Sequence, residues 1–191
     1  VTPEEASNHV AEAVDRGINY FDVAPTYGNA QERLGPALKP YRDKCFLACK
    51  TTKRDAKGAR KELETSLKML QTDHFDLYQL HGSKPEYPIE QTMEGLLWLK
   101  EQGKIRYIGI TTSHGRFHSE LMQIMRTEEL DFVQFTYNIG NRAVEDSLLP
   151  LAADRGMATM INRPYQRGAL FRKVKGEALP EWTAEFDCKS W

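Results

Sequence analysis

The chain has 191 residues, 40% of them hydrophobic, which at about 100 to 200 residues per domain predicts one domain over residues 1–191 with a buried core. Lys and Arg total 26 against 27 for Asp and Glu, a net charge of -1, so there is no basic excess to neutralise nucleic-acid phosphate or an anionic membrane. Three cysteines (Cys45, Cys49, Cys188) without metal-ligand spacing indicate neither a disulfide scaffold nor a zinc ribbon and favour a reducing, cytoplasmic compartment, while Val1 in first position leaves room for a removed targeting segment.

Thr2, Pro3 and Glu5 supply an N-cap, a proline at the first helical position and a capping-box glutamate, and Gly17 marks the helix end. Ala6, Val10, Ala13 and Val14 form its apolar stripe. Asn19 to Val23 follows as a short strand. Further strands are predicted over Cys45–Lys50, Phe75–His81, Ile105–Thr111, Phe132–Tyr137 and Ala158–Asn162, with helical patterns between them such as Gly58–Leu70 and Phe117–Thr127. Gly103 and Gly156 repeat the glycine stop before a strand. The longest apolar stretch, Cys45 to Cys49, falls far short of the roughly 20 residues of a membrane span.

Steady alternation of strand and helix suits parallel strands joined by right-handed crossovers. No G-x-G occurs, so the dinucleotide fingerprint of many doubly wound sheets is missing. The predicted fold is therefore an α/β (β/α)8 TIM barrel, incomplete here, with about six parallel strands. A whole barrel takes about 250 residues and eight strands, whereas this chain opens on a helix and stops soon after its sixth strand, as a barrel lacking its first and last strands would.

Active sites of such barrels lie at the C-terminal strand ends. Asp22, Lys50 and His81 end strands there, and Tyr27 follows Asp22 in the loop Val23-Ala-Pro-Thr-Tyr-Gly28. Alternation puts Phe46, Ala48 and Lys50 on one strand face and Cys45, Leu47 and Cys49 on the other, against the helices. An ammonium beside a phenol stabilises the phenolate and makes the phenol a stronger acid. A carboxylate keeps that ammonium fixed, and a neutral imidazole donates to a substrate oxygen. Asp22, Tyr27, Lys50 and His81 together can protonate a developing alkoxide. They include neither a nucleophile nor a metal cage, so the electrons must come from a cofactor, with hydride the natural candidate.

Gly17-Ile-Asn-Tyr-Phe-Asp-Val-Ala-Pro-Thr-Tyr-Gly28 with Glu32, then Lys50, then Asp76-Leu-Tyr-Gln-Leu-His81, then Gly103-Lys-Ile-Arg-Tyr-Ile-Gly109 resemble the aldo-keto reductases. The resemblance implies that Tyr27 is the proton donor, that Asp22 and Lys50 tune it, that His81 orients the carbonyl, and that the cofactor is NADPH, bound extended without a Rossmann domain. Gln134 matches the glutamine that holds the nicotinamide carboxamide in this family. Thr111 and Thr112 stand where it usually has Ser-Asn, and Asn162 stands where many members place a ring against the nicotinamide. The family's basic motif for the adenosine 2'-phosphate would fall beyond Trp191.

The implied function is NADPH-dependent reduction of an aldehyde or ketone, with a small-molecule carbonyl as partner and no metal. The alternatives are a cofactor-binding regulatory barrel with little turnover, or an inactive fragment. With strands at Asn19 and Ala158 as edges, the 191 residues alone are expected to be poorly soluble, to bind NADPH weakly and to turn over negligibly. Outside this set, His114 and His118 are read as a solvated loop and helix start. Met157, Met160, Trp98 and Leu99 are read as packing, and Lys53, Arg54, Lys57, Arg60 and Lys61 as an exposed helix face.

Overall fold

The computed structural model describes residues 1–82 and 86–190. Helix α1 (Pro3–Asp15) begins as its sequence requires: the Thr2 hydroxyl accepts from the Glu5 amide at 3.1 Å, and the Thr2 amide donates to the Glu5 carboxylate at 2.7 Å. Gly17, at φ +85°, turns the chain into β1 (Tyr20–Asp22). There follow α2 (Ala30–Leu38), extended by a 3-10 turn over Lys39–Lys44, then β2 (Phe46–Thr51), α3 (Ala56–Leu70), β3 (Phe75–His81), α4 (Ile89–Glu101), β4 (Ile105–Thr111), α5 (His118–Thr127), β5 (Phe132–Thr136), α6 (Leu148–Asp154), β6 (Ala158–Asn162) and the short α7 (Ala169–Lys173).

The six strands form one sheet in sequence order, β1 to β6, and every pairing is parallel. This is a half-barrel of the expected (β/α)8 type. The strand expected over Asn19–Val23 is assigned only three residues, yet the Asn19 carbonyl still accepts from Phe46 and the Val23 amide still donates to Ala48. At β5 the ladder stops one residue early, because Asn138 pairs back on Asn141.

Parity along the strands divides the sheet into two faces. The outer face, with Leu47, Cys49, Tyr78, Leu80, Ile108, Ile110, Val133 and Phe135, packs on Leu63, Leu67, Met93, Leu96, Leu121, Met125 and Leu148 of the helices in one buried cluster. The two cysteines of β2 and its approach therefore face helices, as alternation requires. The close approach of α2 to α3 needs Gly35, where a Cβ would lie 2.5 Å from the Met69 carbonyl oxygen. Leu99 and Met157 are buried, but Trp98 is exposed, capped by the Arg60 guanidinium 4.2 Å from its ring centroid. It is a surface stack and not core packing.

The inner face is floored by rings. Tyr20 stacks on Phe46 at 5.2 Å, Phe46 meets Phe132 at 5.8 Å, and Tyr107 meets Phe132 edge-on at 5.5 Å. Contact between rings on β1, β2, β4 and β5 requires a strongly curled sheet. The Tyr20 hydroxyl accordingly donates to the Met160 sulfur at 2.9 Å, linking the two edge strands across the interior.

At the opposite end of the strands from the expected site, Asp76 is buried and accepts from the Leu47 amide at 2.9 Å, while Arg42 and Arg106 each lie 3.0 Å away. Burial alone would raise its pKa, but the Leu47 amide and the two guanidinium groups outweigh burial and hold it below the ordinary carboxylate value. A carboxyl depressed in the folded state contributes stability above its unfolded pKa and loses it as pH falls through the folded one. Asp76→Ala, which leaves the Leu47 amide and two arginines without their acceptor, is expected to cost about 3 kcal/mol. The variant should also lose part of the acid sensitivity of the parent, as read from urea midpoints at pH 3 and pH 7.

Candidate active site

The inner face changes character towards the C-terminal strand ends. Above the aromatic floor, Lys50 is 1% exposed and pairs through Nζ with Oδ1 of Asp22. An ammonium so thoroughly removed from water needs a carboxylate partner. Asp22 has one because β1 and β2 are adjacent, with Asp22 in register with Ala48, two residues before Lys50. The Asp22 carboxylate also accepts from Gln134 Nε2 of β5 at 3.4 Å, through its other oxygen.

Tyr27 arrives from the β1–α2 loop. The turn is held by the Tyr27 amide donating to the Ala24 carbonyl and by the Ala30 amide donating to the Tyr27 carbonyl. Its ring lies 5.2 Å from Lys50 Nζ and meets the His81 imidazole edge-on at 6.1 Å. The side chain is 46% exposed. Its hydroxyl makes no hydrogen bond to any described residue, so it is available to a ligand. The structure thus brings Asp22, Tyr27, Lys50 and His81 together.

His81, half-buried at the end of β3, has its imidazole pKa held below the ordinary 6.5, first by burial and then by the Lys50 and Arg54 charges; Asp22 and Glu62 pull the other way. The ring is neutral near neutral pH and can donate one hydrogen bond.

His81, Thr111 and Gln134 are register neighbours across β3, β4 and β5. Thr111 and Gln134 are buried and face the same cleft. Thr112 and Asn162 line it too, but their polar groups are engaged by the frame. The Thr112 hydroxyl donates to the Arg116 carbonyl at 2.8 Å. The Asn162 amide donates to the Thr112 carbonyl at 2.7 Å and accepts from the Thr136 hydroxyl at 2.6 Å. Asn162 therefore braces β6 to β4 and β5.

The cleft has a volume of about 540 Å³ and continues from Asp22, Tyr27 and His81 to His114, Arg116, Arg163 and Arg167. Among the described residues no carboxylate pairs with any of these three arginines. Arg163 hydrogen-bonds the His114 ring. His118, which opens α5, has its Nε2 buried without a partner.

Several residues of the site escape a reading by strand ends. Gln79 is fully buried in register with Lys50, with neither amide atom hydrogen-bonded; the alternation that singled out Lys50 also places Gln79 on the inner face. Thr136 could have been found in the same way. Tyr87 carries no such signal. Arg54, grouped above with an exposed basic face, is partly buried, and its guanidinium sits on the His81 carbonyl.

A family model described as "Aldo/keto reductase family" matches residues 1–186. The chain is 40% identical over 190 residues to the aldo-keto reductase YhdN of Bacillus subtilis, covering 92% of this chain and 55% of that protein. It is 32% identical over 197 residues to the NADH-specific methylglyoxal reductase of Escherichia coli, covering 90% of this chain and 60% of that one. It superposes on an aldo-keto reductase from Klebsiella pneumoniae in complex with NADPH with a TM-score of 0.81 at 25% identity, covering 93% of this chain and 63% of that chain. The chain thus spans somewhat over half the length of these relatives.

The Lys50–Asp22 pair is asymmetric in burial, with side-chain exposures of 1% and 23%, and the two ways of breaking it should differ. Asp22→Asn strands a buried ammonium and is expected to cost about 3 kcal/mol. Lys50→Met removes the charge that cannot be solvated and leaves a carboxylate that water reaches, so it should cost less. Urea denaturation of both variants checks the order, and a larger loss for Lys50→Met would contradict it.

Proposed function

The chain belongs to the aldo/keto reductase family, and we propose that it is one barrel domain over residues 1–191 whose protein reduces an aldehyde or ketone to an alcohol, taking hydride from NADPH and a proton from Tyr27. The observation that carries this reading is the Tyr27 ring, its hydroxyl unengaged among the described residues, set beside the buried Lys50 ammonium and the His81 imidazole. Two carboxylates at hydrolytic spacing would call for other chemistry, and among the described residues lining the cleft Asp22 is the only carboxylate.

The reduced nicotinamide, when bound, supplies the hydride that goes to the carbonyl carbon. His81 donates a hydrogen bond to the carbonyl oxygen and orients it. Tyr27 gives its phenolic proton to that oxygen as negative charge develops there, and the alcohol forms. Lys50 stabilises the phenolate left behind, until solvent returns the proton through the open side of Tyr27. Asp22 holds Lys50 in place and balances its charge.

The residues present suit a dinucleotide. Among the described residues nothing bonds the Thr111 hydroxyl or the Gln134 amide oxygen, which leaves both to a carboxamide, while Asn162 stiffens the wall beside them. Arg116, Arg163 and Arg167 lie beyond, where unpaired guanidinium groups suit phosphate oxygens. The Klebsiella neighbour supports NADPH; the E. coli relative is named for NADH. Comparing the two cofactors at equal concentration tests the choice. A cleft of this volume accommodates a small carbonyl compound beside the nicotinamide, and no helix among the described residues is long and apolar enough to cross a membrane.

Tyr27→Phe in the full-length protein is expected to lower kcat by about 10²–10⁴-fold with a reactive aldehyde. Cofactor affinity, read by fluorescence titration, should be nearly unchanged. Near-normal turnover in the phenylalanine variant would remove Tyr27 from the role, and wild-type protein that binds cofactor without turnover would favour the regulatory alternative.

A further inference from the structure

Arg54 belongs to a run of basic residues, but it is not a solvated member of that run. It sits in the loop between β2 and α3, four residues after Lys50. Its Nη2 donates to the His81 carbonyl at 2.6 Å, and its guanidinium carbon lies over the Tyr87 ring, 3.8 Å from the centroid. Both groups pack on Gly82. That residue turns the chain at φ +103°, and a Cβ there would meet the Tyr87 ring at 3.6 Å and Arg54 Nη2 at 3.8 Å. Tyr87 and His81 line the same cleft as Tyr27. Among the described residues no carboxylate pairs with Arg54: Asp55 caps α3 through Gly58, and Glu62 is occupied by Thr51 and Thr52.

We propose that Arg54 is a positioning residue of the active site, a planar clamp that fixes the strand end bearing His81 and seats Tyr87 as an aromatic wall of the cleft that Tyr27 also lines, against which the carbon skeleton of the carbonyl substrate packs. The inference rests on the reductase reading for its substrate and on geometry for its contacts. Arginine suits the task because one side chain presents an in-plane donor to a carbonyl and a flat face to a ring. Lysine offers only a point charge. An apolar cleft wall of His81, Tyr87 and Tyr27 fits substrates with an aromatic or otherwise flat apolar group next to the carbonyl.

The clamp also acts on charge. The groups facing His81 are Asp22 from β1, Tyr27 from the following loop, Lys50 from β2, Arg54 from the next loop, Glu62 from α3, and Tyr87 ahead of α4. After burial and Lys50, Arg54 is the strongest influence keeping the imidazole unprotonated. Its loss should therefore raise the His81 pKa and not lower it.

The test uses the full-length protein with Arg54→Met and Arg54→Lys. The His81 ring is titrated by NMR and assigned among the five histidines by its disappearance in His81→Gln. In Arg54→Met the His81 pKa is expected to rise by about 0.5, whereas in Arg54→Lys it should stay within about 0.2 of wild type. In turnover, Arg54→Lys should raise KM for an aromatic aldehyde about 5-fold or more with little change in kcat, and should affect a small aliphatic aldehyde much less. If Arg54→Met does not fold, Arg54→Gln, which keeps a donor for the His81 carbonyl, carries the titration instead. An unchanged His81 pKa in the uncharged variant, or equal KM changes for aromatic and aliphatic aldehydes in Arg54→Lys, would overturn the proposal. The titration needs no turnover, so a protein that proves inactive would defeat the reductase reading and leave Arg54 to be judged separately.

Discussion

The interior of the half-barrel can tolerate Lys50 only because Asp22 meets it. An ammonium with almost no exposure has no water to share its charge, and its removal from solvent costs several kcal/mol unless a carboxylate and further dipoles replace the lost hydration. The rest of the site follows from that constraint. Parallel pairing of β1 with β2 sets Asp22 beside Lys50. Curling of the sheet brings Gln134 of β5 to the same carboxylate. The loop leaving β1 then carries Tyr27 over the pair, within cation–π distance of the ammonium. The positive charge is thus buried, neutralised on one side by Asp22 and covered on the other by the Tyr27 ring.

Much of this was legible in the amino-acid sequence, for identifiable reasons. The capping box at Thr2 and Glu5 and the glycine stops are local signals, and they specify α1 and the strand entries without tertiary help. Strands such as Phe75–His81 are buried along almost their whole length, and the position of barrel active sites at C-terminal strand ends is what singles out Asp22, Lys50 and His81 among their polar residues. What remained hidden depends on contacts between distant segments. Nothing local distinguishes Arg54 from Lys53 or Lys57, yet only Arg54 reaches back to His81 and Tyr87. Asn162 reads locally as a polar strand end; its service as a brace between Thr136 and Thr112 exists only because β4, β5 and β6 are neighbours.

Two ends of the cleft are chemically distinct. Around Tyr27 and His81 the lining is aromatic, and the Lys50 charge is balanced by Asp22. Towards Arg116, Arg163 and Arg167 positive charge is unbalanced. Five residues of those loops (His114, Phe117, Arg163, Gln166 and Arg167) hold positive φ without being glycine. Backbone of that kind costs free energy and persists where surrounding structure fixes it, often at binding sites. A ligand with an uncharged reactive head and an anionic body matches this polarity in the orientation that puts the head against Tyr27, which is the orientation a nicotinamide dinucleotide would take.

The most direct test of the account follows the hydrogen itself. The full-length protein is given NADPH deuterated at C4 of the transferable face and a reactive aldehyde, and the alcohol is examined by mass spectrometry and NMR. The account predicts one deuterium on the carbinol carbon of each product molecule and a hydroxyl proton drawn from solvent by way of Tyr27. An alcohol without deuterium at carbon, formed at the wild-type rate, would contradict direct hydride delivery in this cleft and with it the role assigned to Tyr27, Lys50, Asp22 and His81.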